Sequence, residues 1–233
     1  EMCIRDSYKI YKKRIETASN SLKDGKLIVF PTETVFGLGA IGTNEKAISG
    51  IYTAKNRPKN NPLIAHFSCI EQIKEYVIFN ELASTLATKF WPGPLTMVLN
   101  INKKNRFSKI LSRGKNTIAV RIPSHPVALD LISKCETPIL APSANKSGGV
   151  SPTSAEHVKQ DFKKLNGPTW EISDILDFDG CEVGIESSVV DCRNEIPVIL
   201  REGFITLKNI EDVLGIKVTN KNSSEELISP GML

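Results

Sequence analysis

The sequence is poor in features that mark several large classes of protein. Aromatic residues make up only 6% of its 233 residues, which is few for a protein that stacks nucleic-acid bases on exposed rings. The five cysteines are odd in number and form no CxxC pair, so neither a disulfide framework nor a zinc site is predicted. No apolar run approaches the roughly 20 residues that span a bilayer. These absences favour a reducing cytoplasm and no membrane partner.

Common catalytic motifs are missing as well. The sequence has no GxxxxGK[ST] phosphate loop, no HExxH and no Ser/His/Asp order. An ordinary phosphate-loop ATPase is therefore excluded, and catalysis by positioning and charge neutralisation fits better than covalent catalysis. The net charge of +4 suits anionic ligands but falls short of the basic stripe of a dedicated nucleic-acid binder.

What the chain does contain is an alternation of short apolar runs and amphipathic segments. Several strand connections are too short for parallel crossovers, so we expect an α/β (α+β) fold, a three-layer domain around a twisted mixed β-sheet. Predicted helices cover 8–23, 45–57, 70–77, 81–90, 125–133, 154–162 and 206–214. Predicted strands cover 26–30, 63–67, 95–101, 117–122, 138–143, 188–192 and 197–201, and 102–116 is predicted to be a mobile basic loop. We expect residues 1–7 to be a foreign extension, 8–219 the folded domain and 220–233 a linker or tail.

Four polar segments lie where apolar runs stop, which is where open α/β sheets place ligands. They supply two cations, several hydroxyls and a loop of small residues, as would be needed to hold a triphosphate and an amino acid. The segments are Pro31–Ala40, Ala54–His66, Ala141–Gly149 and Gly184–Asp191.

Lys55 and Arg57 lie at the C-terminal end of a predicted helix, before Pro58, which forces extended backbone. Their side chains can therefore converge on one anion, such as a nucleotide phosphate. The alternative is that they complement the helix dipole and stay in water. The hydroxyls of Thr32 and Thr34, beside the carboxylate of Glu33, can likewise receive an ammonium or a hydroxyl group, or the segment only caps the next turn.

Other candidates are polar residues in apolar or flexible surroundings. Ser143 and Asn145 begin a Gly/Ser loop that allows close approach to phosphate, or is a plain connection. His66 lies in an alternating strand, where a core role is the more common one. Arg121 and Arg201 lie in apolar strands and are costly to bury without an anion, so we expect both to face a cleft.

Taken together, these segments resemble the threonylcarbamoyl-AMP synthase family, with its YrdC/RibB-like fold. The resemblance covers about residues 22–204, and its elements occur in family order. Phe36, Asn56 and Ser188 depart from the residues usual in the family, each with similar size. The matching strings are PTETVFGL, KNR, NPLIAHF, WPGPLT, AVRIPSHP, SAN, SPT, GIESS and ILREG.

The resemblance implies an enzyme that condenses L-threonine, bicarbonate and ATP, with Mg²⁺ and no tightly bound cofactor, to L-threonylcarbamoyl-AMP and pyrophosphate. A separate transferase would then modify tRNA. Lys55 and Arg57 would be catalytic, and no residue is assigned to a metal. By motif, ATP would be held by Lys55, Arg57, Asn61, Thr117, Asn145, Thr153, Arg201 and Ser229, and L-threonine by Thr32, Thr34, His66, Arg121, Ser143 and Ser187.

In the longer branch of the family, a linker like the segment from Ser229 crosses the active site and joins a second domain. We therefore expect the two-domain type without its C-terminal domain, or a single-domain enzyme with a tail. Two other functions stay open. One is a non-catalytic RNA- or nucleotide-binding module, with weak tRNA binding. The other is the carbamoyl-transfer module of hydrogenase maturation, although such modules sit in larger chains with zinc-binding cysteine pairs, which this sequence lacks.

Overall fold

The structure, a computed structural model, describes residues 2–105 and 107–220. Within these residues, no helix has the length and apolar character needed to cross a membrane. The helices are α1 (Met2–Lys23), α2 (Glu45–Lys55), α3 (Ile70–Tyr76), α4 (Glu81–Phe90), α5 (Ser108–Leu111), α6 (Pro126–Cys135), α7 (Ala155–Asp161) and α8 (Leu207–Leu214). The strands are β1 (Leu27–Phe30), β2 (Gly37–Ile41), β3 (Ile64–His66), β4 (Leu95–Asn100), β5 (Thr117–Arg121), β6 (Ile139–Ala141), β7 (Asn166–Gly167), β8 (Trp170–Ile175), β9 (Ser188–Asp191), β10 (Val198–Arg201) and β11 (Thr219–Asn220).

The strands form one mixed sheet, as predicted. Their order is β11, β10, β9, β4, β5, β3, β6, β2, β1, β8, β7. Four neighbouring pairs are parallel: β10 with β11, β9 with β4, β5 with β3, and β1 with β8. The other pairs are antiparallel.

Helices cover both faces of this sheet. Leu27 and Val29 of β1 belong to a large buried cluster that includes Ile48 of α2, whereas Ile28 and Phe30 belong to a second cluster built on α1 and α6. Successive side chains of a strand point to opposite faces, so the two clusters lie on opposite sides of the sheet. The predicted three-layer arrangement is confirmed.

Local sequence explains how α2 begins and ends. The side chain of Asn44 accepts a hydrogen bond from the Ala47 amide at 3.0 Å, a typical N-cap. Asn56 ends the helix in the left-handed conformation, with φ of 54°. Asparagine tolerates this conformation better than most residues, and glycine better still. Asn56 therefore leaves Lys55 as the last helical residue, two residues before the predicted helix end at Arg57.

Several predicted elements were wrong or missing. The segment Pro31–Ala40 is only partly a loop, because its second half forms β2 in the middle of the sheet. The predicted mobile loop 102–116 contains α5, and Leu111 at its end is buried in the large cluster. The strand β8 was not predicted, although it pairs with β1. Helix α1 begins at Met2, earlier than the predicted start at Tyr8. Ser229 and the predicted linker beyond Asn220 lie outside the described residues.

Candidate active site

A cavity of about 340 Å³, lined by both polar and apolar groups, opens at the ends of β3 and β5, on the same face of the sheet as α1 and α6. His66 pairs in register with Arg121 on one side and with Ile139, a member of the α1/α6 cluster, on the other. Residues directly opposite each other in a sheet share a face, so His66 and Arg121 project together into the cavity. The site therefore lies at strand ends, as the sequence predicted. His66 and Arg121 are the last residues of β3 and β5, and Thr32 and Ser143 follow β1 and β6.

Lys55 connects two of the predicted segments. Its side chain is 1% exposed, and its Nζ donates hydrogen bonds to the carbonyl oxygens of Ser143, at 2.5 Å, and Asn145. The interpretation of Lys55 as a water-exposed helix end is therefore wrong. Burial, with a smaller contribution from Arg57, lowers the pKa of Lys55 to about 7, while these oxygens accept from its protonated form. The Lys55 side chain can therefore change between its charged and neutral forms near neutral pH.

Arg57 and Asn61 line the cavity with unused hydrogen-bonding capacity. Arg57 donates from Nη2 to the Pro62 carbonyl at 2.9 Å, but its buried Nε has no hydrogen-bond partner among the described residues. The buried Oδ1 of Asn61 has none either. Buried polar atoms are normally hydrogen-bonded. Arg57 and Asn61 thus each keep one buried polar atom without a partner beside the cavity.

Arg121 is buried and faces the cavity, as predicted, but its counter-ion belongs to the protein. Its Nη2 donates to Oε1 of Glu33 at 2.6 Å, and its Nη1 donates to Oγ1 of Thr34 at 3.0 Å. The other carboxylate oxygen of Glu33 accepts from the Ser124 amide at 3.0 Å. Glu33 is thus the anion that offsets the cost of burying Arg121.

Arg201 also pairs with a carboxylate of the protein itself. Its Nη1 forms an ion pair with Glu186, and its Nε and Nη2 donate to the backbone oxygen and hydroxyl of Ser187, at 3.0 and 3.2 Å. The second carboxylate oxygen of Glu186 accepts from the Ser151 hydroxyl at 2.7 Å. A chain of contacts thus joins β10 to the end of the Gly/Ser loop.

His66 is buried and neutral. Its Nδ1 lies 3.2 Å from the carbonyl oxygen of Ile64, and its ring meets Phe30 edge to face. Burial, followed by the charge of Arg121, lowers the pKa of His66 to about 3. The imidazole therefore offers an uncharged polar surface to a ligand at neutral pH.

Two predicted residues organise their own loops. The hydroxyl of Thr32 donates to the Val35 carbonyl at 2.7 Å and accepts from the Thr34 amide at 3.2 Å. Thr32 therefore stabilises the turn after β1, which was the alternative to ligand binding. Asn145 accepts from the Ser143 hydroxyl at 2.6 Å and donates to the Gly149 carbonyl at 2.7 Å. These bonds hold the Gly/Ser loop against the cavity.

Most of the predicted site residues share this cavity. Thr117 and Thr153 are not among its lining residues, and Ser229 lies outside the described part of the chain. The sequence analysis missed Ser151 and Glu186, although Glu186 lies within the GIESS string. The predicted residues that do line the cavity are Thr32, Thr34, Lys55, Arg57, Asn61, His66, Arg121, Ser143, Asn145, Ser187 and Arg201.

Fold and cavity together define a mixed α/β domain with a cation-rich pocket of the size that binds small molecules. The model of the Sua5/YciO/YrdC family, described as telomere recombination, matches residues 20–203. The chain belongs to this family, so the resemblance drawn from the sequence is confirmed.

Two relatives and one solved structure show how far the similarity extends. The chain is 43% identical over 233 residues to the threonylcarbamoyl-AMP synthase of Bacillus subtilis (strain 168), covering 98% of this chain and 65% of that protein. It is 44% identical to the threonylcarbamoyl-AMP synthase of Pyrococcus abyssi (strain GE5 / Orsay), covering 89% of this chain and 59% of that protein. A crystal structure of P. abyssi Sua5 complexed with L-threonine matches with a TM-score of 0.86 and 41% identity, covering 95% of this chain and 64% of that one. The chain thus spans less than two thirds of the length of these relatives.

Proposed function

We propose that this chain is an L-threonylcarbamoyladenylate synthase, which condenses L-threonine, bicarbonate and ATP to L-threonylcarbamoyl-AMP and pyrophosphate. One observation carries the proposal. The KNR and SAN segments, 88 residues apart at Lys55 and Ser143, meet in one cavity through the hydrogen bonds of Lys55. The names of the relatives and the threonine bound to P. abyssi Sua5 support the same reaction.

The proposed reaction has two steps. The neutral amine of threonine attacks CO₂ or bicarbonate to give a carbamate, releasing a proton to solvent when CO₂ reacts and water when bicarbonate reacts. A carbamate oxygen then attacks the α-phosphorus of ATP, and the bond to the bridging oxygen breaks as pyrophosphate leaves. Both steps depend mainly on holding the reactants in line. Neither step requires a covalent bond between the substrate and the protein.

Charge and shape of the cavity suggest where each substrate binds. We assign the phosphates to the end with Lys55, Arg57 and Arg201, where cations stabilise charge that builds up on the phosphate oxygens. Asn61 and Asn145 would complete the ATP site. Threonine would lie near Arg121, with His66 uncharged beside it. The residues that would hold threonine are Thr32, Thr34, His66, Arg121, Ser143 and Ser187.

Mg²⁺ would enter as part of the nucleotide substrate, bound to the phosphate oxygens, as is usual for this ion. The product is a mixed anhydride that water can hydrolyse. It would be used by a separate transferase that modifies tRNA, and cytoplasmic tRNA would be its target.

The test is turnover by the purified chain with ATP, bicarbonate and Mg²⁺, with and without L-threonine. We expect pyrophosphate release that requires threonine, and a nucleotide product with the mass of threonylcarbamoyl-AMP. Lys55→Ala and Arg57→Ala should each lose most of the activity while remaining folded. Lys26→Ala is the matched control, because it removes an exposed lysine that directly precedes β1 and does not line the cavity. Equal activity in the Lys55 and Arg57 variants would refute their assignment.

A non-catalytic RNA-binding function is less well supported. Single-stranded RNA is commonly bound by aromatic side chains that stack on its bases. Among the described residues that line the cavity, Phe36 is the one aromatic side chain besides His66, and it is fully buried.

A further inference from the structure

Glu186 is the single acidic side chain among the described residues that line the cavity, where four cations also lie. Arg121 has its counter-ion outside this lining, in Glu33. Lys55 and Arg57 hydrogen-bond to carbonyl oxygens. Within the cavity lining, Glu186 is therefore the negative charge nearest in kind to a ligand anion for Lys55, Arg57 and Arg201.

Both oxygens of the Glu186 carboxylate are in use. One accepts from Ser151 at 2.7 Å and the other pairs with Arg201. The charge of Glu186 also raises the pKa of Lys55 and of Arg57, against the larger lowering by burial. The carboxylate thus interacts with the same three cations to which we assign the phosphates.

The environment of Glu186 allows it to leave this position. Its side chain is 35% exposed, whereas Glu33 in the other arginine pair is 4% exposed. A carboxylate at the edge of water can exchange its partners for solvent at small cost, unlike a fully buried one. Glu186 is also tied to the Gly/Ser loop through Ser151, so its release would free that loop from β10.

We propose that Glu186 is an internal counter-ion that competes with the polyphosphate of the nucleotide for Arg201 and its neighbouring cations. The inference rests on the proposed function, since it assumes that a nucleotide occupies this end of the cavity. When the phosphates bind, the carboxylate gives up Arg201 and the ligand oxygens take its place. The nucleotide affinity is then lower than these three cations alone would give, and binding is coupled to release of the loop at Ser151.

The experiment is equilibrium binding of ATP, with and without Mg²⁺, to the wild-type chain and to Glu186→Gln. The glutamine keeps the size and an acceptor for Ser151 but removes the charge. We expect Glu186→Gln to bind ATP about tenfold more tightly in both conditions, because the competing charge is gone. Glu182→Gln removes the same charge from an exposed residue of the same segment, and it should bind ATP like the wild type. If Glu186→Gln does not fold, Glu186→Ala is used, since it also removes the charge. It should also bind ATP more tightly than the wild type.

Three results would overturn the inference. Unchanged or weaker ATP binding by the Glu186 variant would mean that the carboxylate does not compete. Weaker binding only when Mg²⁺ is present would mean that Glu186 holds the metal. If none of the proteins binds ATP, the proposed function fails and this inference fails with it, which distinguishes that case from the other two.

Discussion

The guanidinium of Arg121 and the carboxylate of Glu33 lie 2.6 Å apart, and each side chain is 4% exposed. This pair connects β5 to the loop after β1, and Glu33 also accepts from the Ser124 amide. Two charges buried this deeply are tolerated only when they are well paired and hydrogen-bonded. Glu33 thus fixes the position of Arg121 without itself lining the cavity.

Glu33→Gln should therefore be strongly destabilising. The substitution leaves the charge of Arg121 buried without a counter-ion, and we expect a loss of about 3 kcal/mol in the free energy of unfolding. Urea denaturation of the purified variant measures this loss. Glu171→Gln is the control, because it breaks the exposed pair with Lys26 and should cost less than about 1 kcal/mol. Similar losses in the two variants would contradict the role given to the buried pair.

His66 should make the protein sensitive to acid. Its pKa is lowered from 6.5 to about 3 in the folded chain, so below pH 6.5 the unfolded chain binds a proton that the folded chain does not. Stability is then lost progressively as the pH falls from about 6.5 towards 3. His66→Gln removes this contribution. Urea denaturation at pH 7, 5.5 and 4.5 should show that the free energy of unfolding falls less in the variant than in the wild type. An equal fall in both proteins would exclude His66 as the source of the acid sensitivity.

Lys55 should make nucleotide binding weaken as the pH rises. Its pKa is lowered to about 7, so the side chain loses its positive charge above neutral pH, and the neutral amine attracts phosphate less strongly. ATP affinity measured between pH 6 and 9 should fall across this range in the wild type. Lys55→Gln binds more weakly throughout but should lack this fall. The comparison of the two proteins removes the ionisation of ATP itself, and an equal pH dependence would exclude Lys55 as the source.

Gly39 in the middle of β2 should not tolerate a side chain. A Cβ there would lie 2.7 Å from Cε1 of Phe30 and 2.8 Å from Cγ2 of Ile139. Gly39→Ala should therefore cost about 1–3 kcal/mol by overpacking. Gly180→Ala is the control, since a Cβ at that position meets no heavy atom within 4 Å. Thermal unfolding of both variants decides the matter, and equal melting temperatures would contradict the expectation.

The sequence predicted best where local signals were complete. Asn44 and Asn80 each begin a helix with a side-chain cap, and α4 was predicted with its observed bounds. β2 was missed because glycine and alanine have low strand propensity, and the strand forms only because Phe30 and Ile139 leave room for a bare backbone at Gly39. Tertiary packing decided that element.

The sequence predicted which residues line the cavity better than it predicted which charged side chains pair with one another. The motif positions identified most residues that line the cavity, including Lys55 and Arg121. The partners of the two arginines could not be read from the sequence, because Glu33 lies 88 residues from Arg121 and the bond to Arg201 depends on a turn in the chain. Which carboxylate neutralises which arginine is set by the sheet register, and no local pattern encodes it.

The strand order has a consequence for how this chain folds. Lys55, Arg121, Ser143 and Arg201 come from widely separated parts of the chain, and they meet only when β10 has joined the sheet beyond β9 and β4. Such nonlocal contacts form late and slowly, so no partly folded chain presents the complete pocket. A ligand that needs all four side chains binds the native state alone. At a concentration 100 times its dissociation constant it adds about 2.7 kcal/mol to the stability of the whole domain. Substrate supply would then regulate the lifetime of the folded protein as well as its turnover.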